Sequence, residues 1–264
     1  MMKHTSQTIY SKKLAGEKIV SLSLYDYPSA RIADEAGVDL IMVGDSVGMV
    51  LLGHENTLGM TMEHMLYHTQ AVAKAVKHAL VVADMPVHSF NDPEIALKNA
   101  QRFLREAGAD AVKLEGGATI QPQIEKLMTA GISVMGHVGM LPQSIGDGKY
   151  RVYGKDPDEA KTILEDVKLL DRLGVFAIVL ECVPAKLAGE ITKAVRCPTI
   201  GIGAGPETDG QVLVFQDILG IRSRVSPRFV RHYANLEEAM KKAAGDFCHD
   251  VQNNKFPSKK ESFS

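Results

Sequence analysis

The sequence predicts an α/β protein of the (β/α)8 TIM-barrel class, built as a single domain over residues 1–252. Short apolar strands alternate with segments of helical periodicity along the chain. The strands are apolar almost without interruption, as is typical of strands buried on both faces of a parallel sheet. Polar residues at successive strand ends, from Asp45 to Gly203, lie close to 32 positions apart. A barrel of ~250 residues has about 31 residues per unit, so this spacing favours the closed barrel over an open doubly wound sheet.

Seven strands are predicted from short runs rich in β-branched residues, each followed by a glycine or a polar turn. They cover residues 18–24, 39–43, 80–84, 110–115, 132–137, 175–181 and 198–203. For the eighth strand the sequence offers only a short run near Asp217 to Ile221.

Helices are predicted between the strands, where apolar residues recur at helical spacing. They cover residues 28–36, 61–78, 92–107, 119–130, 156–173 and 184–196, with a last helix at 236–252. Asp92 before Pro93, and Asp156 before Pro157, set a capping residue and a proline at two helix starts. The polar segment 253–264 is expected to form a flexible C-terminal tail.

Composition excludes several classes of function. Thirty basic and 32 acidic side chains give a net charge of -2, so the chain lacks the positive excess that binds nucleic acid or an anionic membrane. No segment reaches the ~18 apolar residues of a membrane span, and the first residues lack the apolar centre of a signal peptide. Cys182, Cys197 and Cys248 are odd in number and widely spaced, which fits reduced thiols. We therefore expect a cytoplasmic protein.

Five of the predicted strands bring ionisable side chains to their carboxyl ends. These residues are Asp45, Asp84, Lys113, Glu115, His137 and Glu181, and Ser46 directly follows the first of them. A single acidic residue at such a position is equally well explained as a turn former or a helix cap. Because barrel enzymes build their sites at this end of the strands, the convergence of all five indicates a catalytic site.

The residue types in this group favour enolate chemistry supported by a metal ion. Asp45, Asp84 and Glu115 form an all-oxygen set that suits Mg2+, and without a cation one of them would take up a proton. A magnesium ion that also binds an α-keto acid would act as a Lewis acid and stabilise an enolate. Glu181 is the candidate base, because apolar burial raises the pKa of a carboxyl group towards the working pH. Lys113 would balance a substrate carboxylate or an oxyanion, unless it forms a structural ion pair with Glu115.

Two further motifs have simpler interpretations. His64 and His68 have an HxxxH spacing but lack the order of the zinc motif, so surface or interface histidines are favoured. The segment GIGAG at 201–205 has Pro206 where a dinucleotide fingerprint needs its third glycine. We interpret it as a barrel loop whose backbone passes close to a ligand.

Short motifs also stand in a fixed order from about residue 8 to residue 250. They are YDY (25–27), VGDSVGM (43–49), GHENTL (53–58), YHT (67–69), ADMP (83–86), VKLEGG (112–117), GHVG (136–139), LPQS (141–144), LECVP (180–184), GIGAG (201–205) and TDGQ (208–211). Together they resemble the motifs of the ketopantoate hydroxymethyltransferase family, over nearly the whole chain.

The resemblance implies a (β/α)8 barrel enzyme of pantothenate biosynthesis. It implies transfer of the one-carbon unit of methylenetetrahydrofolate to 3-methyl-2-oxobutanoate, which gives 2-dehydropantoate. It also implies a homo-oligomer, commonly a decamer. The implied residue roles are Mg2+ ligation by Asp45 and Asp84, with Glu115 joining directly or through water; keto-acid contacts from Asp45, Ser46, Asp84 and Lys113; a pocket wall at His137; and a proton acceptor at Glu181.

The chain departs from the family pattern in one loop, and two other functions remain open. After Ser144 the loop reads IGDGKYRVYGK and lacks the Phe-Gly-Gly that many members carry before the tyrosine. One alternative is another magnesium-dependent enolate-forming barrel, for example a lyase that cleaves a C–C bond in a keto acid. The second is a barrel that binds a ligand without catalysis.

Overall fold

The structure is a computed structural model that describes residues 2–145, 151–221 and 227–263. It contains two compact units, Met1–Phe215 and Gln216–Ser264. Of the loop at 145–155, which is expected to depart from the family pattern, residues 146–150 lie outside the described residues. The division of the chain predicted at 252/253 stays a prediction.

The first unit contains a closed barrel of parallel strands in the order β1 to β8, with β8 pairing back to β1. The strands are β1 Ile19–Ser23, β2 Leu40–Val43, β3 Leu80–Asp84, β4 Ala111–Glu115, β5 Val134–Gly139, β6 Ala177–Glu181, β7 Thr199–Ile202 and β8 Gly210–Val214. The predicted TIM-barrel class and the seven predicted strands are confirmed.

The expectation for the eighth strand was wrong. β8 lies at Gly210–Val214, and the run near Asp217 instead belongs to a short helix. No helix separates β7 from β8, so the repeating pattern that predicted the other strands is missing here. β8 is also buried on one side only near its start, where Gln211 is exposed, so its apolar run is short.

The seven predicted helices lie close to their predicted positions, and the described residues form three further α-helices. In chain order the helices are α1 Ser6–Leu14, α2 Tyr27–Glu35, α3 Val47–Val50, α4 Met62–Ala75, α5 Pro93–Arg105, α6 Gln121–Thr129, α7 Pro157–Leu173, α8 Ala185–Ala194, α9 Phe215–Ile218 and α10 Leu236–Gln252. The three further helices are α1, α3 and α9. Asp92 and Asp156 accept the first free amides of α5 and α7, which confirms both predicted caps. In the described part of the chain, no helix is long and apolar enough to span a membrane.

The helix α1 was not predicted, because Ile9 is its one buried residue and it has almost no apolar face. Ile9 is fully buried and belongs to the barrel's core cluster. The ammonium group of Lys13 donates to the carbonyls of Thr192, Val195 and Cys197, in the last turn of α8 and the segment between α8 and β7. The helix therefore covers the amino-terminal end of the barrel, at the opposite end from the predicted site.

Apolar side chains fill the inside of the barrel and separate that end from the predicted site. This core cluster includes Ile19, Leu40, Met42, Leu80, Val82, Met135, Val179, Ile200 and Val212. Packed interiors of this kind are the rule in (β/α)8 barrels. Because the interior is filled, polar chemistry is confined to the carboxyl-terminal rim.

One buried carboxylate joins α2 to the chain entering β3. Asp34 is 4% exposed and accepts backbone N–H groups of Lys77, His78 and Ala79 at 2.9, 3.0 and 2.7 Å. Burial alone would raise the pKa of Asp34, but these hydrogen bonds outweigh burial and hold the pKa below its usual value. The charged form of Asp34 is therefore bound more strongly in the folded state than in the unfolded one.

We predict that Asp34→Asn lowers the free energy of unfolding at pH 7 by about 1.5–3 kcal/mol, since hydrogen bonds to a charged acceptor are lost. Because the folded-state pKa is depressed, this stabilisation exists above the unfolded pKa of ~3.9 and is lost as pH falls through the folded value. Urea denaturation of both proteins between pH 7 and pH 3 measures the difference. The difference in the free energy of unfolding between the two proteins should become smaller as the pH falls towards 3.

The neighbouring Glu35→Gln variant is the control. Glu35 pairs with Arg31 at 2.9 Å on the surface of the same helix, so its loss should cost no more than about 0.5 kcal/mol. Equal losses for the two variants would contradict the role assigned to Asp34.

Candidate active site

A cavity of about 140 Å3 opens at the carboxyl-terminal rim of the barrel. Met42, Val179, Ile202 and Val212 form its apolar part. Every site residue that the sequence predicted lines this one cavity, namely Asp45, Ser46, Asp84, Lys113, Glu115, His137 and Glu181. The ends of the five predicted strands therefore converge on one rim, as expected.

The register of the strands brings these side chains together. Asp84 on β3 is paired with Lys113 on β4, and Glu115 on β4 is paired with His137 on β5. Lys113 and Glu115 are two residues apart and so point to the same side of their strand. Glu181 ends β6 beside the end of β5.

Lys113 is the buried cation of the site. Its ammonium nitrogen lies 3.1 Å from Asp84 Oδ2 and 3.2 Å from His137 Nδ1. The ion pair of Lys113 is thus with Asp84 on the neighbouring strand rather than with Glu115. Burial would lower the pKa of Lys113, but the carboxylates of Asp84 and Glu115 outweigh burial and hold the pKa above its usual range.

The carboxylates of the site lie close together and are buried. Burial, together with the charges of Glu115 and Asp84, raises the pKa of Asp45 to about 8. Burial also raises the pKa of Asp84, although Lys113 opposes it. The second oxygen of that residue, Asp84 Oδ1, is buried and has no hydrogen-bond partner among the described residues. Several buried carboxylates this close together need a cation to balance their negative charges.

The carboxylate oxygens of the site are of the type that magnesium prefers, but they do not form a complete set of ligands. Among the described residues, no three His, Cys, Asp or Glu side chains form a ready-made cluster around an ion. Magnesium, however, needs only one or two protein carboxylates and keeps several waters. Asp45 and Asp84 would meet that need, because the main-chain N–H of Asp45 approaches Asp84 Oδ2 at 3.3 Å and Asp84 Oδ1 has no hydrogen-bond partner among the described residues.

His137 links two acidic groups of the site. Its Nε2 lies 3.1 Å from Glu181 Oε2, and its Nδ1 lies 3.6 Å from Glu115 Oε1. Burial and Lys113 would lower the pKa of His137, but the contacts with Glu115 and Glu181 outweigh them and raise it. The side chain of Glu181 is 14% exposed, so it is less enclosed by apolar groups than the sequence indicated. It faces the cavity and is open to a substrate.

Two contacts of the site were not predicted. Tyr25 is fully buried, and its hydroxyl lies 2.8 Å from Ser46 Oγ, which fixes the serine beside Asp45. Gln143 donates from its side-chain amide to Asp45 Oδ2 at 2.8 Å. Both residues stand in family-like motifs of the sequence, YDY and LPQS, and that is the signal that could have found them. No strand-end rule applies to Gln143, since it follows β5 in a short turn.

The two weaker motifs have structural explanations. His64 takes part in the capping box of α4, and His68 Nδ1 lies 2.8 Å from the carbonyl oxygen of Tyr25, so the pair does not converge on a metal. In the glycine-rich loop, a Cβ at Gly205 would lie 2.4 Å from that of Ala185. A Cβ at Gly201 would lie 2.7 Å from Thr208 Oγ1. These two glycines are required by close approaches within the protein. The expectation that the backbone of this loop also passes close to a ligand stays a prediction.

Comparison with known proteins agrees with the resemblance seen in the sequence. The sequence profile described as ketopantoate hydroxymethyltransferase matches residues 3–259. A Clostridium novyi (strain NT) protein named 3-methyl-2-oxobutanoate hydroxymethyltransferase is 51% identical over 264 residues, covering 99% of this chain and 96% of that protein. A Salinibacter ruber protein of the same name is 48% identical, and both chains are covered in full.

Solved structures support the fold. A phosphonopyruvate hydrolase crystallised with oxalate and Mg2+ superposes with a TM-score of 0.63 at 14% identity, covering 99% of this chain and 93% of that one. A 2,3-dimethylmalate lyase of the PEP mutase/isocitrate lyase superfamily gives a TM-score of 0.62 at 14% identity, covering 95% and 88%. At this identity the likeness concerns the barrel alone.

We predict that Lys113→Met lowers the free energy of unfolding by about 3–5 kcal/mol, since removing one partner of a buried ion pair leaves the other charge uncompensated. Lys161→Met is the control, because Lys161 forms an exposed pair with Glu165 at 3.9 Å and its loss should stay within about 0.5 kcal/mol. Urea midpoints at pH 7 compare the two. Similar small losses would mean that Lys113 does not balance the acidic cluster.

Proposed function

The chain belongs to the ketopantoate hydroxymethyltransferase family, and from that premise we propose that it transfers a hydroxymethyl group to 3-methyl-2-oxobutanoate. The one-carbon donor is methylenetetrahydrofolate, and the product is 2-dehydropantoate, an intermediate of pantothenate biosynthesis. The observation that carries the proposal is that all the family-like site residues line one cavity. In that cavity, Asp84 Oδ1 is buried and has no hydrogen-bond partner among the described residues.

Asp45 and Asp84 would hold Mg2+, with Glu115 joining directly or through a water molecule. When bound, the ion supplies a Lewis acid that polarises the keto group and acidifies the neighbouring C–H bond. The chain's own contribution is orientation and charge balance. Ser46, held by Tyr25, contacts the keto acid beside Asp45, and Lys113 balances the substrate carboxylate.

Glu181 is the proton acceptor of this proposal. Its carboxylate faces the cavity and contacts His137 Nε2 at 3.1 Å. The imidazole at that distance favours one orientation of the carboxylate, which a general base requires. Glu181 removes the C3 proton, and the resulting enolate carbon forms a bond to the methylene carbon of the folate's iminium form, whose C=N π electrons pass to the nitrogen. Cleavage of that C–N bond releases tetrahydrofolate, and addition of one water molecule supplies the hydroxyl group of 2-dehydropantoate.

The two alternative functions are less well supported. A lyase acting on a keto acid needs no folate, and a barrel that only binds its ligand forms no product. The names of the high-identity relatives do not favour either. Product analysis with keto acid, methylenetetrahydrofolate and magnesium separates the three: 2-dehydropantoate supports the transferase, a cleaved keto acid the lyase, and no product the binding barrel.

The proposal also includes a cytoplasmic homodecamer with a barrel domain at 1–252 and a flexible tail at 253–264. The exposed apolar residues of α10 support assembly, because a helix with such a stripe normally packs against protein. They are Leu236, Met240, Phe247 and Val251, which are 36–57% exposed within this chain. Light scattering coupled to size exclusion measures the assembly directly, and a monomer at micromolar concentration would contradict it.

We predict that Glu181→Gln lowers the rate of C3 proton exchange by about 10²–10⁴-fold, as expected for loss of a general base. NMR of 3-methyl-2-oxobutanoate in deuterium oxide, with enzyme and Mg2+ but without folate, measures this exchange. The exposed Glu190→Gln on α8 is the control and should exchange at the wild-type rate. Wild-type exchange in Glu181→Gln would assign the base to another residue.

We predict that Asp84→Asn weakens the binding of Mg2+ and of the keto acid together, because chelation couples the two ligands. Calorimetric titration of each ligand, alone and in the presence of the other, measures both affinities. Unchanged affinity for both would argue against Asp84 as a ligand of the ion.

A further inference from the structure

Gln143 contacts more of the acidic cluster than its position outside the strands suggests. Its main-chain N–H donates to Glu115 Oε2 at 3.0 Å. Its side-chain Nε2 donates to Asp45 Oδ2 at 2.8 Å and to the carbonyl oxygen of Met85 at 2.9 Å. One residue therefore bonds to the ends of β2, β3 and β4, because Met85 directly follows Asp84.

The end of β5 is built to bring Gln143 there. Gly139 has a φ of +93°, and a Cβ at that position would lie 2.3 Å from the carbonyl oxygen of Glu181. Only glycine tolerates this combination of left-handed backbone and close approach. The chain turns at Gly139, and the short turn Pro142–Ser144 then sets Gln143 over the cavity that Pro142 helps to line.

The orientation of the Gln143 amide follows from its partners. Asp45 Oδ2 and the carbonyl oxygen of Met85 are both acceptors while Asp45 is ionised, so the NH2 group must face them. The amide oxygen Oε1 then points elsewhere, and it is buried without a partner among the described residues. A buried, unpartnered oxygen costs stability, which the two bonds from the NH2 group must outweigh.

The protein donors divide the carboxylate oxygens of the cluster into two sets. Asp45 Oδ2 and Glu115 Oε2 are held by Gln143, and Asp84 Oδ2 is held by Lys113. In the described residues, Asp84 Oδ1 and Glu115 Oε1 accept no hydrogen bond. Asp84 thus has one oxygen fixed by the protein and one left for another partner, whereas Glu115 Oε1 lies 3.6 Å from His137 Nδ1.

We propose that Gln143 is a positioning residue for the divalent cation, acting through Asp45 and Glu115. The inference rests on the proposed function, in which these carboxylates hold Mg2+. A neutral amide suits the task, since it donates to Asp45 without adding charge, whereas a lysine would compete with the cation. Without this donor, Asp45 faces Glu115 and Asp84 with no fixed orientation, and the cluster must be reorganised before it binds an ion.

The test compares Gln143→Met with a matched variant, Gln123→Met. Gln123 is a buried glutamine that also donates from Nε2 to main-chain carbonyls, those of Phe90 and Asn91, at 3.1 and 3.4 Å. Its Oε1 likewise has no partner in the described residues, but in that part of the chain Gln123 makes no hydrogen bond to the acidic cluster. The two substitutions therefore remove similar hydrogen bonds and differ in their distance from the carboxylates.

The first measurement is the dissociation constant of Mn2+, by electron paramagnetic resonance of the full-length proteins without substrate. We expect Gln143→Met to raise this dissociation constant by at least about 10-fold, as commonly follows the loss of a residue that hydrogen-bonds to a metal ligand. Gln123→Met should leave the dissociation constant unchanged. Wild-type affinity in Gln143→Met, tighter binding, or an equal loss in both variants would overturn the inference. A wild-type protein that binds no Mn2+ would overturn the metal assignment of the proposed function and this inference with it.

The second measurement separates positioning from general damage. Turnover of Gln143→Met is followed as a function of Mg2+ concentration. We expect the concentration needed for half-maximal rate to rise while kcat returns to the wild-type value at saturating Mg2+. A kcat that stays low at every Mg2+ concentration, with the half-maximal concentration unchanged, would show that Gln143 does not act through the cation.

Discussion

The crowding of buried carboxylates at the rim of the barrel is the constraint on which the rest of this structure depends. Asp45, Asp84 and Glu115 are each no more than 6% exposed, and the charge of Glu115 raises the cost of ionising both Asp45 and Asp84. Such a group is stable only with buried cations and donors around it. Lys113, His137 and Gln143 are arranged to meet that demand, and each bonds to or closely approaches at least one of the three.

The barrel makes this arrangement possible because its layers separate two tasks. Below the rim, apolar side chains such as Met42 and Val179 fill the interior and hold the strands in register. At the rim, that register sets Asp84 beside Lys113 and Glu115 beside His137. The apolar layer also keeps water from reaching the cluster from beneath, so the charges interact in a medium of low polarity.

Most of the fold and the membership of the site could be predicted from the sequence, because both follow from local rules. A buried strand must be apolar and must end in a polar residue, so the strand ends marked the rim and its ionisable residues. Lys113 shows where such rules stop: its partner Asp84 is set by the pairing of β3 with β4, which spacing along one strand does not reveal. Gln143 and Tyr25 lie outside the strands, and their contacts depend on how loops cross the rim. Helix α1 and strand β8 were missed because neither carries the periodic apolar pattern of the other elements.

Charge balance explains why this cluster suits a divalent ion. Among the described residues that line the cavity, the ionisable acids are Asp45, Asp84, Glu115 and Glu181, and the bases are Lys113 and His137. With all six charged the cavity carries two negative charges, which equals the charge that one divalent cation neutralises. Without the ion the excess is relieved by protonation, and the raised pKa of Asp45, about 8, makes it the residue that takes up the proton. A divalent cation held by Asp45 and Asp84 would therefore have to displace that proton, and its two positive charges would balance the excess negative charge of the cavity.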